Sequence, residues 1–355
     1  MKKLYLLILT LVFMGCWDKK ASTQIDGMAL DTLSVQNASE FGEARDVEQD
    51  TIKATKTFKK GGKQFVSVKG KDLRPYHIDS KMKLYYAIPT YLNLSESVHL
   101  PPHFLTAKEL KKDSLVLDVR RRAMVLKSAG ISKRDTIYVY EVNRDTVFKI
   151  PVKGLQAKCY INIYEDAEDR DDSSYEYGLA LPKGLNFDVV TYTYVGAANP
   201  FQTGKRTFFQ WQAIEQFPFV IKPELLQRNF VTCYQYGKAY RATVGQRNYY
   251  LLSLTTTDGI SDEPSAYYLV IEDSKSKKRL FDKTYVAMES PEEILPLCLD
   301  RKCKENAYNT QWTGEILKGK GTVIAGFYSP TFGCDVIEFI DDKAAVIPIL
   351  CDNRH

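Results

Sequence analysis

From Gly61-Gly62 onward the chain alternates short β-branched and aromatic runs with turn residues, the pattern of half-buried strands. The runs are Ser114–Val119, Asp135–Val142, Thr146–Val152, Lys158–Tyr164, Tyr175–Leu181 and Phe187–Val195, then Asn248–Thr255, Ala266–Glu272, Arg279–Val286, Thr322–Tyr328, Val336–Ile340 and Val346–Leu350. The second and third join through Asn143-Arg144-Asp145 as a hairpin, and Tyr267–Val286 reads as another, turning at Ser274–Lys277. Thr106-Ala107-Lys108-Glu109 and Ser290-Pro291-Glu292-Glu293 match the capping box, so each predicts a short helix. Strands this short with frequent turns favour antiparallel sheets over βαβ units. The expected fold is mainly β: two antiparallel β-sandwich-like regions with one or two short helices. Phe217-Pro218 and Pro223 punctuate the chain, placing the regions at 59–222 and 223–355.

The first residues follow a different pattern. Lys2 and Lys3 precede an apolar run, Leu4–Met14, broken only by Thr10. Eleven residues of helix cover about 17 Å of a hydrocarbon core about 30 Å thick, which suits a signal peptide better than a permanent span. Val12-Phe13-Met14-Gly15-Cys16 resembles the lipobox of bacterial lipoproteins, with Phe13 where the usual pattern has Leu. The resemblance implies a signal peptide over 1–15, cleavage before Cys16, a diacylglycerol thioether on its sulfur and acylation of the new amino group. Two or more acyl chains make a stable anchor where one holds marginally. Residues 16–58, rich in Ser, Thr, Asp, Gln and Ala, read as a flexible tether that as a coil spans about 35 Å. Trp17-Asp18-Lys19-Lys20 lacks the acidic cluster that follows the cysteine in surface-exported lipoproteins. The expected location is therefore an outer membrane, lipid-anchored, with the periplasmic face favoured over the cell surface.

Of 355 residues, 44% are hydrophobic and 26% charged, enough apolar material for a core and too much for wholesale disorder. The net charge of +5 is spread along the chain without a basic block, so nucleic acid is not an expected partner. Loss of Lys2 and Lys3 leaves 47 basic against 44 acidic side chains.

With Cys16 assigned to lipid, Cys159, Cys233, Cys298, Cys303, Cys334 and Cys351 remain, an even number that an oxidising compartment favours as disulfides. If Asp342-Lys343 is the two-residue loop of a terminal hairpin, Cys334 falls directly opposite Cys351, within reach of a bridge. That bridge would close a loop of about 18 residues, worth about 3 kcal/mol. Cys298 and Cys303 form a second candidate pair. Cys159 either staples the two regions, most simply to Cys233, or is a buried thiol. Zinc is the competing reading, because Cys298-x4-Cys303 and Cys351-x3-His355 loosely resemble paired ligands, but neither has the tight C-x2-C spacing.

No catalytic residues emerge. His99 and His103 are separated by Pro101-Pro102, so an i, i+4 helical pair is not expected, and no G-x-S-x-G elbow accompanies them. Ser80-Lys83 and Ser274-Lys277 match S-x-x-K by coincidence. Asp166, Glu168, Asp169, Asp171 and Asp172 offer oxygens for calcium, but the loop lacks the template's glycine and terminal Glu and reads as solvated. Arg120-Arg121-Arg122 reads likewise as a solvated edge or turn. Phe208-Phe209-Gln210-Trp211, Tyr249-Tyr250, Tyr267-Tyr268 and Trp312 supply rings for sheet contacts, or for a partner such as a sugar. The expected function is a non-catalytic binding or assembly module of the envelope, without cofactor, attached to the membrane through its N-terminal lipid and meeting an envelope protein or a glycan. The alternatives are a hydrolase acting on cell wall or glycan and a structural subunit of a secretion or assembly complex.

Overall fold

The computed structural model describes the strands Thr57–Lys60 and Lys63–Val68 and then residues 82–351, apart from 166–169, 188–189, 222–231, 257–263, 287–291, 296, 298, 300–309, 331–332 and 342–344. The signal peptide, Cys16, most of the tether, His77, Ser80, Cys298, Cys303 and His355 lie outside the described residues.

The protein is mainly β, with three sheets and a two-stranded ladder among the described residues. A nine-stranded sheet runs in the order Arg206–Phe208, Trp312–Gly314, Val323–Ala325, Val336–Phe339, Val346–Leu350, Leu84–Tyr85, Thr191–Gly196, Thr136–Glu141 and Thr146–Pro151. A five-stranded sheet contains Ala87–Ile88, Tyr91–Asn93, Tyr175–Ala180, Ala157–Ile161 and Ser114–Val116. The seven-stranded sheet is built on the long strand Thr232–Val244 and the meander Arg247–Thr256, Ala266–Asp273 and Arg279–Val286. Among the described residues pairing is antiparallel except where Ile349 and Leu350 meet Leu84 and Tyr85 in parallel.

That parallel contact joins the two ends of the described core, so the expected division at 222/223 does not divide the sheets. Strands from both sides of it share the nine-stranded sheet, four from the later part lying between Arg206–Phe208 and Leu84–Tyr85, and Thr232–Val244 pairs with Lys63–Val68. Period-two side chains bind the layers together. Ile137 and Val139 face one apolar cluster, shared with Leu92, Tyr177 and helix residues Val125 and Leu126. Tyr138, Tyr140 and Val142 face the opposite one, with Phe201, Trp312 and Ile347. In the seven-stranded sheet Tyr267 and Leu269 enter one cluster and Tyr268 and Val270 the other, so both faces are covered.

The helical expectations need correction. Thr106 and Glu109 do form the reciprocal capping contacts, Glu109 Oε2 accepting from Thr106 N at 2.9 Å, but the segment makes only a turn. Glu292–Ile294 is a strand paired with Tyr328–Pro330; Leu295 is buried beyond it and donates to Phe327 O, and this packing outweighs a marginal local helix. The described α-helix is Val119–Ser128, which begins inside the run expected to be a strand to Val119. Asp118 caps it, accepting from Arg121 N at 2.9 Å. The arginine run is therefore neither edge nor turn: Arg121 clasps Glu109, and Arg122 donates to Leu155 O and Val152 O at 2.6 and 2.8 Å.

The terminal hairpin pairs Val336 with Pro348, Ile337 with Ile347 and Glu338 with Val346, one residue displaced from the register of a loop at Asp342-Lys343. Asp-Lys lacks the positive-φ preference of two-residue turns, and the observed register sets Ile337, Phe339, Ile347 and Ile349 on the same buried cluster. Cys334 and Cys351 lie just beyond the ladder and are disulfide-bonded, with Cα atoms 5.6 Å apart.

Candidate functional site

A cavity of about 470 Å3 opens where the three sheets meet, within the range of about 300–1,000 Å3 common for small-molecule sites. The nine-stranded sheet contributes Thr191, Tyr192, Trp312, Ile324, Val336 and Glu338 to its lining. Asn93 and Glu176 come from the five-stranded sheet and Tyr285 from the seven-stranded one. Phe327, Tyr328 and Ser329 follow Gly326, whose φ of +87° turns the chain between two strands. A Cβ on Gly326 would collide with Thr310 O, so this turn needs glycine. The disulfide forms part of the wall, and Tyr86 and Val336, exposed at 41% and 39%, place apolar surface among the lining residues.

Aromatic rings supply much of this surface. Tyr192 and Trp312 lie with centroids 6.4 Å apart, while Tyr285 stacks on Phe327 at 4.8 Å and meets Tyr328 edge-on at 5.0 Å. The described lining includes the carboxylates of Glu176, Asp335 and Glu338 and no Lys, Arg or His. Each of the three has a partner, Asp335 Oδ1 accepting from Val336 N at 2.7 Å. Glu338 accepts from Lys283 Nζ at 2.8 Å and from the Tyr285 hydroxyl at 3.0 Å, and Glu176 accepts from Asn93 Nδ2 at 3.0 Å. The Lys283 ammonium also lies over the Tyr285 ring at 4.9 Å, so the protein's own cation already occupies that corner.

The Tyr192 hydroxyl and the Trp312 indole N–H form no hydrogen bond among the described residues, although the two side chains are 2% and 3% exposed. Burial, reinforced by the charge of Asp335, raises the Tyr192 phenol well above its ordinary pKa, so it carries its proton at neutral pH. Both atoms differ from Trp211 Nε1, which is enclosed without a partner.

Of the described residues singled out from sequence, the terminal cystine and Trp312 belong to the lining and the others do not. Cys159 is a free thiol in the five-stranded sheet, its pKa pushed up to about 12 mainly by burial; it is not a staple to Cys233, which lies in Thr232–Val244. Cys351 is in the disulfide and so is not a zinc ligand. Asp171 and Asp172 serve the backbone: Asp171 caps the turn at Asp172–Ser174, and Asp172 accepts from Phe104 N and Leu105 N at 2.9 and 2.7 Å. Asp166, Glu168 and Asp169 are outside the described residues. Among the described residues no group of three or more His, Cys, Asp or Glu is placed to hold a metal ion. The His99 backbone bonds the Ser128 hydroxyl, and His103 sits in a turn at φ +59°. Phe209, Trp211, Tyr249 and Tyr267 are sheet-contact residues. Tyr192, Glu176 and Asp335 carry no sequence signal of their own, because their meeting depends on pairings between distant strands.

Comparison of the chain with protein families, with curated proteins and with solved structures returns no match.

Proposed function

We propose that this chain is a non-catalytic binding module of the cell envelope, held at a membrane by lipid on Cys16 and taking its ligand in the cavity that Tyr86 and Val336 help to line. The lipobox-like segment supports the anchor. The cavity carries the binding reading: it is of ligand size, walled by rings and bordered by a disulfide. The hydrolase alternative finds Glu338 and Glu176 already engaged by Lys283, Tyr285 and Asn93, and no histidine among the described lining residues. The tether, expected to span tens of ångströms, would give the module reach from the bilayer.

A photo-crosslinking residue at Val336 in the full-length chain in intact cells tests the site, with Val119, 86% exposed and away from the lining, as control. A discrete adduct is expected from position 336 and not from 119. Equal labelling at both positions, or none at 336, overturns the cavity as the binding site.

A further inference from the structure

We infer that the cavity selects an uncharged carbohydrate, and that Tyr192 and Trp312 are the residues that recognise it; this rests on the cavity being the binding site. Three properties of the lining narrow the chemistry. The first is charge. Glu176, Asp335 and Glu338 line the cavity, Glu338 paired with Lys283, and the described lining itself holds no cationic side chain, so a phosphate, carboxylate or uronate would meet acids on the wall without a cationic partner there.

The second property is the pair of unused donors. An indole N–H only donates, and the Trp312 N–H has no acceptor among the described residues. An ammonium or guanidinium ligand offers donors alone and would leave that N–H unmet, at the cost of a desolvated polar group. The Tyr192 phenol beside it keeps its proton and needs an acceptor too. A ligand bearing acceptor oxygens satisfies both.

The third is the juxtaposition of rings with carboxylates. A pyranose has an apolar C–H face that packs on an aromatic ring and a rim of hydroxyls that donate to carboxylates while accepting from N–H and O–H groups. Tyr192 and Trp312, with ring centroids 6.4 Å apart and planes tilted by 50°, each bring an aromatic ring and a donor to the lining. A neutral sugar is thus the ligand class that uses the rings, the donors and the acids together.

The test is calorimetric titration of the folded protein with N,N′-diacetylchitobiose, cellobiose and maltose, with digalacturonate and choline as charged probes, each to about 10 mM. At least one neutral disaccharide should bind saturably, and neither charged probe should. Tyr192→Phe and Trp312→Phe keep a ring and delete a donor, and each should weaken binding roughly three- to tenfold without altering the circular dichroism spectrum. Absence of binding by all three disaccharides, binding unaltered in both variants, or tighter binding of choline or digalacturonate would each overturn the inference. The two readings fail separately. An adduct at position 336 alongside sugar-free titrations removes the carbohydrate and leaves the cavity, whereas loss of the adduct removes both.

Discussion

Carboxylates in this protein work mainly by holding backbone and side-chain donors in place. Glu141, fully buried, accepts from Asn143 N at 3.1 Å and from Arg144 Nε, fixing the loop of its hairpin. Asp172 fastens the Phe104-Leu105 backbone across 67 residues of sequence. Glu109 is the case with a measurable pH signature. Arg121 grips both its oxygens, at 2.7 and 3.0 Å, and with the Thr106 N–H holds its pKa at about 2 against an ordinary 4.5. A depressed carboxylate stabilises the folded state fully above the unfolded value and loses that contribution as pH falls towards the folded one. Glu109→Gln should therefore be less stable than the parent at pH 7, by about 1 kcal/mol for a partly exposed bidentate pair. The gap should close between about pH 4.5 and 2, as measured by urea melts along that range. A gap that stays constant to pH 2 would assign the loss to packing instead.

At the scale of elements, local preference sets where structure can start and tertiary contacts decide what it becomes. Asp118 and the residues after it make a competent helix start, but the apolar content of Ser114–Val119 resembles a strand and conceals it. The helix is retained by Arg122 on two loop carbonyls and by Val125 and Leu126 in the core. Asp118→Ala should cost about 1 kcal/mol in a thermal or urea melt, with the helix still present by hydrogen exchange, since the cap is only one of these supports. The meander at Ala266–Asp273 and Arg279–Val286 was legible because alternation and turn residues are local properties. The terminal hairpin was legible to within one residue, because its pairing depends on which face Ile337 and Ile347 must bury. The cavity was not. Trp312 stood out as a ring, but its neighbour Tyr192 lies 120 positions earlier and reaches it only through the order of strands in the nine-stranded sheet.

For the whole molecule, the order of strands predicts a single cooperative unit. Val346–Leu350 sits inside the nine-stranded sheet, antiparallel to Val336–Phe339 on one side and parallel to Leu84–Tyr85 on the other. The disulfide fastens the chain at the end of this strand, closing a sequence separation of 17 and bordering the cavity. A cross-link of that span stabilises by about 3 kcal/mol in the chain-entropy model. Replacing Cys334 and Cys351 together by Ser should lower stability by about that amount. Two autonomous regions would confine the loss of protection to the second. Here hydrogen exchange should rise together in Thr136–Glu141, before the expected boundary, and in Arg279–Val286, after it, because the Leu84–Tyr85 pairing and the clusters around Tyr192 and Tyr285 couple them. Urea unfolding of the variant should remain one transition at a lower midpoint. Two transitions, with exchange in Thr136–Glu141 unaltered, would show that the chain folds as separable halves despite its shared sheet.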